Sequence, residues 1–201
     1  MTDPETRTPP GRPRSDRTRT AILDATLQLV EERPPGEVTI KAIAEASGAG
    51  RQTLYRWWRN RGEIVVEALR ESGRQHVRVG AFRALDDGVQ QFLRATVTRA
   101  RALRRALAIV MIDAQSDSDF LELFREQFVE IRRAALFEVF ESDDRFRRLS
   151  AEKRAFLADT AFGPLWYRLL VQHAALDKRF ADELSALVVS CFESLVTEQK
   201  S

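Results

Sequence analysis

A chain of 201 residues, 44% hydrophobic and 31% charged with a net charge of +2, suffices for one or two packed domains and is too apolar to be disordered throughout. No apolar run approaches the ~20 residues of a membrane span, so neither a spanning helix nor a membrane partner is expected. The single cysteine, Cys191, excludes an internal disulfide and fits a reducing cytoplasm.

Residues 1–14 are rich in Pro, Thr and Arg and read as a disordered basic arm. They hold no apolar segment, so no secretory signal is expected. From Ser15 onward the pattern is helical, with no sustained strand alternation. Ser15 or Asp16 can cap a first helix that turns Ile22, Leu23, Leu27, Leu29 and Val30 inward. "RPPGE" at 33–37 stops it, because neither proline can continue a helix. Thr39 is a cap for a short second helix with Ile40, Ile43 and Ala44 on one face. "SGAG" at 47–50 breaks that helix, and a third begins near Arg51 with Leu54 inward. A fourth is expected from about Arg61 to Gly80, burying Ile64, Val65, Ala68 and Leu69.

A larger helical part follows. Asp86 or Asp87 should start a helix with Val89, Phe92, Leu93, Thr96 and Val97 inside. "ALAIVMI" at 106–112 is apolar all round and should be buried. "SDSD" at 116–119 starts a helix carrying Phe120, Leu121, Phe124, Phe128, Ile131, Leu136, Phe137 and Phe140. Residues 151–173 and 178–197 form two long final helices, the first kinked at Pro164.

The stretch "ASGAGRQTLYRWW" at 46–58 carries the functional signal. Two short helices crossing steeply need a small residue at the crossing, a tight turn and apolar anchors. Ala44, Gly48, Ala49 and Leu54 supply these, with Ile40 and Ile43 as base. That spacing fits a helix-turn-helix over 38–57, whose second helix enters the major groove of DNA. With Leu54 inward, Arg51, Gln52, Tyr55 and Arg56 fall on or beside the outer face. Arginine pairs with guanine and glutamine with adenine. The hydroxyls of Thr53 and Tyr55 suit phosphate oxygens, which set register.

The same segment resembles the TetR family of bacterial repressors over roughly residues 15–75. The family's core is matched by Val38-Thr39, Ile43-Ala44, Ser47-Gly48-Ala49-Gly50, Thr53-Leu54-Tyr55, Trp57-Trp58 and Arg61. The resemblance implies DNA contacts at Thr39, Lys41, Arg51, Gln52, Thr53, Tyr55, Trp57 and Arg61, with Trp58 turned inward. Gly50 departs from the usual Ser cap, although glycine caps nearly as well as threonine. Gln52 stands where many members carry a small residue, and Arg59-Asn60 replaces a common Pro-Ser pair. Beside such a reader, Arg12 and Arg14 of the arm fit a minor-groove contact, and a solvated tail fits them equally.

For the remaining residues, 76–201, two readings coincide. Leu165, Leu169, Leu184, Leu187, Val188, Cys191 and Leu195 form apolar stripes on the last two helices, suited to their own core or to a twin chain. "FGPLWYRLL" at 162–170 resembles a C-terminal subgroup of the same family, in which this helix bears the dimer contact. Family members usually bind a small molecule here. Phe92, Met111, Phe124, Phe128, Phe162, Trp166 and Tyr167 fit the lining of such a cavity, and ordinary core packing fits each of them too. That lining implies a small apolar or aromatic ligand.

His76 and His173 lie far apart, and one cysteine adds nothing, so neither a metal site nor a catalytic device is expected. No cofactor is implied. The expectation is an all-α cytoplasmic, non-enzymatic regulator of bacterial type, nucleoid-associated when bound. It has an N-terminal three-helix helix-turn-helix DNA-binding domain (15–75) and a larger C-terminal helical ligand-binding and dimerisation domain. It would act as a homodimeric repressor on palindromic double-stranded DNA. An activator or ligand-independent repressor, a helical enzyme, and a helical small-molecule or lipid carrier without DNA function are the alternatives.

Overall fold

The structure, a computed structural model, describes residues 14–72 and 79–198. Most of the N-terminal arm, with Arg12, lies outside these residues, as do His76 and the expected boundary at 75/76. Arg14 already belongs to the first helix. Among the described residues there is no strand.

Four helices form the N-terminal part: α1 (Arg14–Glu32), α2 (Ile40–Ser47), α3 (Arg51–Trp57) and α4 (Arg61–Glu71). Each boundary has a local cause. The Thr39 hydroxyl accepts the Ala42 N–H at 3.1 Å and starts α2. Gly48 ends it with φ +67°, a left-handed conformation that glycine adopts without strain. Gly50 starts α3 without a side-chain cap. The Asn60 side-chain oxygen accepts the Glu63 N–H at 2.9 Å and starts α4. The fourth helix stops at Glu71, short of Gly80, which belongs to no helix.

The larger part comprises α5 (Leu85–Ala102), α6 (Arg104–Ala114), α7 (Ser118–Phe124), α8 (Glu130–Phe140), α9 (Ala151–Val171) and α10 (Lys178–Thr197). Asp117, Ser150 and Asp177 cap α7, α9 and α10 through their side chains. α5 departs from expectation: it starts at Leu85 after an uncapped Ala84, with Asp86 and Asp87 in its first turn, where they favour the positive end of the helix dipole. The single long helix expected after Asp117 is instead two, joined by a π turn over Arg125–Val129. α9 contains Pro164 and runs on to Val171. The run at 106–112 is not buried all round, since Ile112 is exposed and Met111 half-buried.

α1 packs across α2 and α4, α4 lies along α6, and α5 is sandwiched among α8, α9 and α10. The buried side chains therefore form one cluster that runs from Ile22 to Val196 through both parts. Leu54 and Trp58 lock the short α3 into that cluster.

Candidate nucleic-acid interface and regulatory cavity

α3 has seven residues, too short to be stable alone. Leu54, with no exposed surface, is its anchor, and the Trp58 indole N–H donates to Glu67 on α4 at 3.0 Å. Glu67 also pairs with Arg19 of α1 at 2.6 Å, so three helices meet at one carboxylate. Trp57 meets Trp58 edge-on at 5.5 Å between ring centres, and the Arg56 guanidinium lies over Trp57.

With that face fixed inward, Arg51, Gln52, Tyr55 and Arg56 are left in solvent, and Tyr55 keeps 59% of its surface exposed. Among the described residues nothing engages the side chains of Arg51, Gln52 or Tyr55, so the edge has free donors. Thr53 and Trp57 are half-buried beside it. Thr39 is exposed but spends its hydroxyl as an acceptor at the α2 cap. Lys41 is exposed, with Glu45 at 3.9 Å. The side chains of Arg12 and Arg14 lie outside the described residues.

Arg61 departs from the expected contact. Its Nε donates to both oxygens of Asp113 on α6 at 3.1 and 3.2 Å, and its Nη1 donates to the Pro35 and Val38 carbonyls at 2.9 Å each. A half-buried guanidinium so occupied keeps only its Nη2 for an outside contact. It ties α4 to α6 and to the loop before α2.

Arg61 has neighbours in this role. The Gly62 N–H donates to Asp113 at 3.0 Å, the Asn60 amide donates to Asp117 at 3.0 Å, and Arg59 pairs with Asp119 at 2.7 Å. The Asp117 carboxyl is held below the usual carboxylate range, first by the Phe120 N–H; burial opposes this, and the Asn60 amide adds to the lowering. A side chain on Gly62 would put its Cβ 2.5 Å from the Phe120 ring. The start of α4 thus sits against the α6–α7 turn through a polar latch with no spare space. Sequence reading missed this latch because its partners lie about fifty residues apart.

A cavity of about 300 Å³ lies in the larger part between α5, α6, α8 and α9. Of the expected lining, Phe128, Phe162 and Trp166 are in its wall. Phe92 and Phe124 are not: Phe92 is fully buried with its ring 6.4 Å from that of Phe162, and Phe124 stacks behind Phe128 at 5.3 Å. Met111 is outside the wall, and Tyr167 faces solvent beside His173. The wall also holds Thr96, Arg99, Leu103, Leu107 and Arg132. Helical phase signals Arg132, because residues 128, 132, 136 and 140 repeat every four positions on the buried side of the chain after Asp117.

The stripe assigned to a twin chain is largely the protein's own interior. Leu165 and Leu169 face the cavity, and Leu184, Val188 and Leu195 are buried in the core. Only Leu187, 51% exposed, and the half-buried Cys191 reach the outside. The apolar surface of α9 and α10 is another set: Phe156 at 59% exposure, Tyr167, Leu170 and Val171 accompany Leu187. Thr160 Oγ1 and Cys191 Sγ, 3.7 Å apart, form the seam between the two helices. A Cβ on Gly163 would meet nothing within 4 Å.

Among the described residues, no group of three or more His, Cys, Asp or Glu is arranged to hold a metal ion. No helix among them is long and apolar enough to cross a membrane.

Residues 83–188 match the tetracyclin repressor-like C-terminal domain, and residues 22–68 match the bacterial regulatory proteins of the tetR family. The chain is 26% identical over 181 residues to the HTH-type transcriptional regulator YdeS of Bacillus subtilis, covering 87% of this chain and 89% of that one. It is 24% identical over 153 residues to the HTH-type transcriptional regulator Rv1556 of Mycobacterium tuberculosis, covering 76% of each. Among solved structures, the TetR family transcription regulator SCO0332 superposes with a TM-score of 0.62 at 22% identity, over 88% of this chain and 97% of that one. A tetR-family regulator from Streptomyces coelicolor also gives 0.62, at 14% identity over 91% and 88%.

Proposed function

The chain belongs to the TetR family of DNA-binding transcriptional regulators, and on that premise we propose a ligand-responsive repressor that docks as a homodimer on a palindromic operator. The observation that carries the reading is the uncovered edge of α3. Leu54 and Trp58 hold the helix from behind while Arg51, Gln52 and Tyr55 stay in solvent with their donors unspent. Arg51 and Gln52 read base edges, Thr53 and Tyr55 hold phosphates, and Lys41 adds charge at the backbone. Arg61, with Nε and Nη1 spent inside the protein, serves mainly to hold α4 in place. A carrier without DNA function leaves such an edge unexplained.

Dimerisation uses the outer faces of α9 and α10, where Phe156, Tyr167, Leu170 and Leu187 border the seam at Thr160 and Cys191. Gly163 lets a facing helix approach closely. Two readers about 34 Å apart then enter successive major grooves.

Regulation is a population shift between two spacings of those readers. The cavity wall includes Leu103 and Leu107 of the Leu103–α6 segment, and the same helix carries Asp113, which holds the start of α4. A ligand that favours one position of α6 favours one position of α4, provided its affinity differs between the two. The protein works in the cytoplasm and at the nucleoid when bound.

Selection of bound fragments from random double-stranded DNA tests the reading. Enrichment of one inverted repeat is expected. Recovery of no preferred sequence at low salt overturns it.

A further inference from the structure

The cavity contains a charge that the rest of the chain leaves unanswered. Arg132 keeps 8% of its surface exposed, lines the cavity, and has a buried Nη1 with no hydrogen-bond partner. Its guanidinium lies 5.4 Å from the centre of the Phe128 ring. The nearest influence of charge is another cation: burial, and secondarily Arg99, push the Arg132 pKa down to about 10. The opposite situation holds at Arg133, which pairs with Asp159 at 3.0 Å. The one acid in the wall is therefore already engaged, and Arg99 and Arg132 stand in excess. Thr96 lines the same space, and its hydroxyl is likewise buried without a partner. An isolated cation and an idle hydroxyl are costly to bury together in an apolar wall. Both line one space, where a single acceptor would satisfy them together.

Building on the ligand-responsive reading above, we propose that the effector is an amphiphilic carboxylate whose head meets Arg132 and Thr96 and whose apolar or aromatic body lies against Phe128, Phe162 and Trp166. This adds an acid to the expected small apolar or aromatic ligand, because a neutral hydrocarbon leaves Arg132 unpaired. A carboxylate suits the donor set better than a phosphate monoester. Its two oxygens match the two buried unpartnered donors, one on Arg132 and one on Thr96, whereas a phosphate brings a third oxygen that meets no further such donor. The volume, about 300 Å³, is at the small end of ligand pockets and suits a compact acid.

Calorimetric titration of the full chain with octanoate, 3-phenylpropanoate, 1-octanol and octyl phosphate tests the proposal without DNA. The two acids should bind at least about tenfold tighter than the alcohol, the size of one charge-assisted hydrogen bond. Arg132→Met should abolish that preference. Thr96→Val, which keeps the side chain's shape, should reduce it and serves if the first variant does not fold. Equal affinity for acid and alcohol, a preference that survives Arg132→Met, or tighter binding of octyl phosphate each overturns the proposal. So does a dissociation constant above about 1 mM for both acids. A second readout separates this site from its premise. Carboxylate binding through Arg132 that leaves affinity for the selected DNA unchanged upholds the site and rejects ligand control. DNA release by neutral compounds alone upholds control and rejects the carboxylate.

Discussion

Leu54 decides what the reader shows. One fully buried leucine on a seven-residue helix sets which side chains meet water, and Arg51, Gln52 and Tyr55 follow by helical geometry. This was legible in the sequence because turn, anchor and outer face lie within about a dozen residues. Arg61 was not: an arginine at a helix start looks the same whether it faces a phosphate or, as here, Asp113. Arg132 was overlooked for a related reason, since arginines seldom enter a core and only phase argued otherwise. Gln52→Ala should relax base choice at one operator position by ~1–3 kcal/mol, read in a randomised-site selection. Tyr55→Phe should weaken binding to all duplexes alike by about tenfold or less, read by titration against matched and scrambled DNA. A Tyr55→Phe loss confined to one base position would remove the tyrosine from the backbone contacts.

Helix positions were legible where caps and proline breaks are local, as at Thr39, Asp117 and Asp177. They were misjudged where tertiary packing decides, as at the early stop of α4 and the π turn between α7 and α8. The apolar stripes of α9 and α10 were visible, but the sequence offered no way to tell a self-facing stripe from a partner-facing one. The greasier stripe is interior, and the sparser one, with Phe156 and Leu187, is outside. The latch between α4 and α7 makes its own prediction. Gly62→Ala sets a methyl group 2.5 Å from a fully buried ring, so it should destabilise the protein by ~1–3 kcal/mol. Thermal unfolding should show the midpoint lowered by several degrees; an unchanged midpoint would mean that Phe120 moves aside freely.

At the scale of the molecule, one continuous core runs from the helices around α3 to the cavity wall. In the proposed dimer, assembly adds the second reader. Leu187→Glu on the outer face of α10 should give monomers in sedimentation and weaken operator binding by roughly 100-fold or more, as avidity is lost. A variant that still sediments as a dimer would exclude this face. The π turn at Arg125–Val129 acquires a further meaning here. It stands between Asp117 and Phe120, which brace the start of α4, and Arg132, which lines the cavity. Each residue of an α-helix advances the chain by roughly 100°. The wide turn takes up one such step, so a single residue lost from it would restore ordinary coiling and leave the guanidinium facing its chamber. A residue added there, which no further widening absorbs, would instead swivel everything downstream by about that angle and carry Arg132 out of the wall.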